Sequence, residues 1–135
     1  MQALDFTDLI GRPFKYGARG PMEFDCYGLL IEVQRRIGNH ISDYPSSEQG
    51  PENASAIVLG LAEEWEPTAR PEVGCGVVFR VACSAETSAS HVGAVISDDV
   101  FLHTMERTGG VVAERLSHPA WAKRITGFYR WKGKS

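Results

Sequence analysis

The spacing of apolar residues changes period once along this chain, near Pro71, and that change restricts the fold more than any other feature. Before it the spacing is helical. Leu29, Leu30, Val33 and Ile37 form one stripe, and Ile57, Leu61 and Trp65 form a second over Asn53–Trp65. After it the period is about two, through Gly76–Ala82, His91–Ile96, Val100–Glu106, Gly110–Leu116 and Arg124–Trp131. Strands that follow helices, instead of alternating with them, predict an α+β domain. N-terminal helices then pack on a C-terminal antiparallel sheet of about five strands. A chain of 135 residues buries roughly two-thirds of its unfolded surface, and no repeat or linker divides it, so residues 1–135 read as one domain.

The connections follow from turn chemistry. Ala3–Ile10 is at best a short helix, ended by Gly11-Arg12-Pro13, and Gly17–Pro21 is a loop. Asn39–Asn53 is rich in Ser, Pro, Asp and Gly and reads as a surface connection tacked down by Ile41 and Tyr44. Pro67 is expected to end the second helix, and Ser84–Ser90 to be a polar link.

A net charge of −3 gives no electrostatic case for nucleic acid as a partner. Three irregularly spaced cysteines do not form a disulfide framework. No apolar run reaches the roughly 20 residues that would span a bilayer, so no membrane insertion is expected. Met1–Ile10 has neither the basic nor the apolar region of a secretory signal, and cytoplasmic synthesis without a signal peptide is the expectation.

Within the first helix, Asp25 is a good N-cap, which puts Cys26 in the first turn. There the positive end of the helix dipole favours thiolate over thiol. A buried thiol that only packs is the competing reading. A nucleophile also needs a base and something to orient that base. His40 and His118 fall in predicted loops, whereas His91 and His103 fall inside adjacent strands.

Alternation sends His91, Gly93 and Val95 to one face of their strand. A three-residue turn at Ser97-Asp98-Asp99 sets Gly93 opposite His103 and makes the two histidines diagonal neighbours on one face. A two-residue turn shifts the register and sends His103 to the other face. Gly93 leaves room between the histidines for a helix terminus or a substrate backbone. A metal set of Cys75, Cys83, His91 and His103 lacks the short ligand spacings of zinc modules, so no metal or other cofactor is expected.

Gly11–Gly17, Phe24-Asp25-Cys26-Tyr27-Gly28-Leu29, His91-Val92-Gly93 and Phe101-Leu102-His103 together resemble the NlpC-type cysteine peptidases, papain-like enzymes that cut peptide bonds in bacterial peptidoglycan. The likeness runs nearly end to end. It implies a papain-like fold with Cys26 as nucleophile, His91 as base and His103 as the third catalytic residue. Asp43-Tyr44-Pro45, Glu114-Arg115-Leu116 and Gly127–Trp131 look like the branch encoded by tailed phages and prophages. That likeness implies a hydrolase carried at the virion tail tip into the cell wall, with stem peptides and tail-tip proteins as partners.

Two positions depart from the family pattern: Tyr27 replaces the usual small serine, and Phe14 stands where many members carry a tyrosine that reaches the thiol. Tyr16, Tyr27 and Gly93 are therefore the candidates for contacts with substrate or oxyanion. The resemblance also leaves open a tail-tip assembly subunit with vestigial peptidase activity, and acyl transfer to an amine other than hydrolysis. Lys15, Arg19 and Arg80 could meet stem-peptide carboxylates.

Overall fold

In the computed structural model, residues 5–43, 64–82 and 88–133 are described. The main helix, α1, spans Cys26–Ile37. Six strands follow: β1 (Trp65–Thr68), β2 (Gly76–Ala82), β3 (Ser88–Val95), β4 (Val100–His103), β5 (Val112–Arg115) and β6 (Ile125–Trp131). A short helix, α2 (Pro119–Ala122), lies between β5 and β6. The strands form one antiparallel sheet in the order β1-β6-β2-β3-β4-β5. The predicted α+β architecture, helices followed by an antiparallel sheet, is the one observed.

The helix is specified at both ends. Asp25 is extended and its carboxylate accepts from the Gly28 N–H, satisfying an orphan donor of the first turn. Gly38 closes the helix in the left-handed region at φ 108°, donating to the Gln34 and Arg35 carbonyls. Leu29, Leu30 and Val33 pack with Val78, Val92, Ala94 and Leu102 on one face of the sheet. The opposite face buries Val77, Phe79, Val95 and Phe101 beneath Leu116 and Trp121. Both faces are covered, so β2 reads as a continuous apolar run, Val77-Val78-Phe79, all buried.

Several sequence-based expectations change. Trp65 opens β1 instead of closing a helix; Glu64 is helical as predicted, and residues 53–63 of the predicted helix lie outside the described residues. Pro67 stands within β1, opposite Tyr129; β1 is an edge strand, where a residue lacking an N–H is tolerated. This strand raises the sheet from about five strands to six. Thr7–Leu9 forms only a 3-10 turn. Ile41 is buried as expected, while Tyr44 and Cys83 lie outside the described residues.

The segment before α1 is tied to the far end of the sheet. Gly11 N–H donates to the Val111 carbonyl and Phe14 N–H to Gly109. Lys15 and Phe24 then pair, which folds residues 16–23 into a loop ending just before Cys26. Gly28 allows that loop to close on the helix, since a Cβ there would overlap the Ala18 carbonyl oxygen.

Candidate active site

Three elements meet at the start of α1. Asp25 is 1% exposed, and its carboxylate is held by the Gly28 N–H (2.7 Å), the Gly17 N–H (3.0 Å) and Arg19 Nη1 (2.8 Å). Arg19 also donates to Asp43 (2.7 Å), so the buried carboxylate is paired and fully hydrogen-bonded. The cap thus fixes both the first turn of α1 and the loop in front of it.

Cys26 packs against β3 where β4 peels away. Along β3 the odd residues hydrogen-bond toward β2, as Val95 N–H does with Cys75, and the even ones toward β4, as Ile96 N–H does with Val100. The Val92 N–H therefore faces β4, but β4 ends at His103, one residue short of the position opposite Val92. The N–H groups of Val92 and Tyr27 lie near enough to the Cys26 sulfur to favour its thiolate. This places the thiol beside the residue that follows His91.

The electrostatics run against the simple expectation for a cysteine at a helix start. Burial pushes the Cys26 thiol up to about 12, and the neighbouring Asp25 carboxylate adds to the shift. The two backbone donors and Arg19 oppose it without prevailing. The dipole argument considers only the helix; the desolvation and the capping carboxylate belong to the tertiary structure.

β3 pairs with β4 at Ala94↔Leu102 and Val95↔Phe101, and this register, continued by one residue, sets Gly93 opposite His103. It is the register of the three-residue turn. Asp99 holds that turn from outside: its carboxylate accepts from Ser117 N–H (2.9 Å) and Oγ (2.7 Å), and its carbonyl from Leu116 N–H. His91 and His103 consequently share a face, with Nε2 of His91 3.0 Å from Nδ1 of His103 and ring centroids 5.3 Å apart. Both are buried against Phe79, Phe101 and Trp121. Burial, then the adjacent His103, lowers His91 to about 3. His103 is lowered as well by burial, although the Glu114 carboxylate pulls in the opposite direction.

Glu114 is the residue that the sequence reading did not place in the site. Its Oε2 hydrogen-bonds Nε2 of His103. In the β4–β5 register His103 faces Val112 and Phe101 faces Glu114, so Glu114 is the diagonal neighbour of His103 on the same face. The alternation argument that paired the histidines, extended by one strand, would have found it.

The bond order assigns the protons. A carboxylate accepts, so His103 carries its proton on Nε2 and presents Nδ1 as an acceptor. His91 must then donate from Nε2, which leaves its Nδ1 unprotonated with a free lone pair. With both residues neutral, the resting site holds a thiol and an imidazole. The described contacts join His91, His103 and Glu114 in one line on one sheet face, while Cys26 packs with Val92 on the face that carries α1.

The other predicted site residues divide. Tyr27 is 3% exposed, and its hydroxyl donates to the Ser42 carbonyl (2.7 Å), while its backbone N–H lies near the thiol. The Tyr16 hydroxyl donates to Glu106 (2.6 Å), with its ring edge-on to Phe14 at 4.8 Å. Gly93 offers no open space: a Cβ there would stand 2.9 Å from the Leu102 carbonyl oxygen and 3.0 Å from the Phe101 ring. The glycine serves close approach of β3 and β4. Arg19 is committed to Asp25 and Asp43. Two open clefts flank the loop before α1, one of about 370 Å³ lined by residues 15–23 and one of about 250 Å³ lined by Phe14, Lys15, Tyr16 and Glu106.

Comparison with known proteins gives a consistent result. Residues 11–130 match the model of the NlpC/P60 family. The probable endopeptidase p60 of Listeria grayi is 26% identical over 121 residues, covering 90% of this chain. This chain spans only about a fifth of that relative's length, 20%. An NLP/P60 family protein of Staphylococcus aureus described as similar to lipoprotein superposes with a TM-score of 0.62 at 22% identity, over 92% of this chain and 38% of its own. NlpC2 of Trichomonas vaginalis also gives 0.62, at 18% identity over 93% and 44%. The P60 domain of an M. avium subspecies paratuberculosis antigen gives 0.54, at 17% identity over 96% and 90%. These structures share the fold, and with 120 consecutive residues matched to one family model, the chain belongs to the NlpC/P60 family.

Proposed function

We propose that this protein is a cysteine peptidase that hydrolyses peptide bonds in the stem peptides of bacterial peptidoglycan. The observation that carries the reading is the hydrogen-bonded His91–His103 pair beside the strand position that receives the Cys26 thiol. As Sγ attacks the scissile carbonyl carbon, its proton passes to His91 Nδ1. The Cys26 backbone N–H, a first-turn donor without an intrahelical acceptor, is the proposed donor to the oxyanion. The tetrahedral adduct collapses to a thioester, and protonated His91 returns its proton to the departing amine. Water, deprotonated by His91, then cleaves the thioester, releasing a carboxylic acid and restoring the thiol.

The likeness of Asp43-Tyr44-Pro45, Glu114-Arg115-Leu116 and Gly127–Trp131 to phage and prophage members supports a place at a virion tail tip, acting in the cell wall beside tail-tip proteins. The test is solubilisation of purified peptidoglycan. Cys26→Ala should abolish release of cross-linked fragments, and release at the unsubstituted rate would refute the mechanism.

A second reading, an assembly subunit with vestigial activity, draws support from two observations. The thiol is held protonated, and Phe14 supplies no hydroxyl where the resemblance implies a tyrosine. Loss of one such donor costs about 100-fold or more in rate. Under this reading the unsubstituted chain releases no fragments even when assembled with its tail proteins.

A further inference from the structure

We infer that Glu114 is a positioning residue, which acts through His103 to hold His91 in the tautomer whose Nδ1 can accept the Cys26 proton. The inference rests on the cysteine-peptidase reading above and extends it by one residue and one strand. Three ring or carboxylate groups form a line across β3, β4 and β5: His91 Nε2 to His103 Nδ1 at 3.0 Å, and His103 Nε2 to Glu114. His103 is 0% exposed, so its ring has no water to satisfy it and its two nitrogens depend on these partners.

Without Glu114, a neutral His103 can carry its proton on either nitrogen. In the second form His103 donates from Nδ1 to His91 Nε2, the His91 proton moves to Nδ1, and the base is lost. A fixed acceptor at His103 Nε2 removes that form. The same negative charge also stabilises the imidazolium that His91 becomes when it takes the thiol proton, since His91 Nε2–H still points along the line. Among the described residues, the groups facing the His103 ring are His91 from β3, Glu114 from β5, Phe79 from β2, Phe101 from its own strand and Trp121 from α2. Of these, His91 and Glu114 are the ionisable side chains. The Glu114 side chain is 33% exposed, so replacing it leaves the core packing in place.

The test pairs imidazole nitrogen NMR with kinetics. In Cys26→Ala chain, where no turnover occurs, His91 should show a protonated Nε2 and a bare Nδ1. Adding Glu114→Gln should replace that pattern with a mixture of tautomers. In the active chain, Glu114→Gln should lower kcat by about 10- to 100-fold with KM unchanged. Glu114→Asp, which keeps the charge but withdraws it by one methylene, provides the same readings should the glutamine variant fail to fold. An unaltered His91 tautomer in the folded variants overturns the inference whatever the rate does. If the tautomer changes while the unsubstituted chain cleaves no peptidoglycan, the positioning role stands and the peptidase reading fails.

Discussion

The Asp25 carboxylate that starts α1, accepting from Gly28 N–H at 2.7 Å, is also the charge that most opposes ionisation of the adjacent Cys26. One residue thus fixes the position of the thiol and disfavours its charged form. Asp25→Asn separates the two effects, because an amide oxygen can still accept from Gly28 while the charge is gone. The Cys26 thiol pKa should fall from about 12, and alkylation by iodoacetamide should set in at lower pH. Losing the charged bond between buried Asp25 and half-buried Arg19 should cost about 1–3 kcal/mol in urea denaturation. A labelling profile that stays in place or moves to higher pH would show that burial alone sets the thiol.

How far the sequence reveals this site depends on the range of each interaction. The helix start was legible because its signals, Asp25 and the apolar stripe behind it, are local. The histidine register was legible only as a choice between two turn lengths. What decides it is Asp99 held by Ser117, a contact 18 residues away. Trp65 fits the helical stripe of Ile57 and Leu61, but its pairing with Trp131 at the far end of the chain makes it a strand residue. The ionisation of Cys26 follows from desolvation, which no spacing rule contains. Glu114 lies one strand beyond the histidine pair, on the face that the same alternation gives to His103.

His91 makes the fold acid-sensitive. Its pKa is depressed from 6.5 to about 3 in the folded chain, so below 6.5 the unfolded chain binds a proton that the folded one does not. Stability is therefore complete above about pH 6.5 and is lost as pH falls toward 3, by up to about 1.4 kcal/mol per unit. The upper part of this window lies above the range where carboxylates titrate. Urea midpoints there should drop steadily with pH in the unsubstituted chain, and His91→Gln should flatten the decline. An equal slope in both chains would place the sensitivity elsewhere.

Tyr27 stands where relatives carry a small serine, and the structure uses its bulk. The ring is buried at 3% exposure beneath the Arg19 guanidinium, 5.7 Å from its centroid, and the hydroxyl anchors the Ser42 carbonyl. Tyr27→Phe should cost about 1 kcal/mol, the worth of one hydrogen bond. Tyr27→Ser empties a ring-sized space and should cost about 3–5 kcal/mol. Denaturation midpoints distinguish the two, and equal losses would mean that the hydroxyl, not the ring, carries the contribution.

Gly93 tests the histidine pair by geometry instead of charge. Its missing Cβ would lie 2.9 Å from the Leu102 carbonyl oxygen and 3.4 Å from the His103 Cβ, so Gly93→Ala must push β4 outward. Backbone cannot yield as a flexible side chain does, and overpacking of this kind costs about 1–3 kcal/mol. The displaced strand is the one that bears His103, and a few tenths of an ångström added to the 3.0 Å contact weakens the bond that holds the His91 ring. The variant should therefore remain folded at moderate temperature yet lose kcat at least tenfold. Gly110→Ala, which also meets backbone closely, at the Arg12 carbonyl oxygen 2.7 Å away, should lose comparable stability while leaving the β3–β4 spacing untouched. If both variants lose activity only in proportion to their unfolded fraction, the β3–β4 spacing at Gly93 has no bearing on the chemistry.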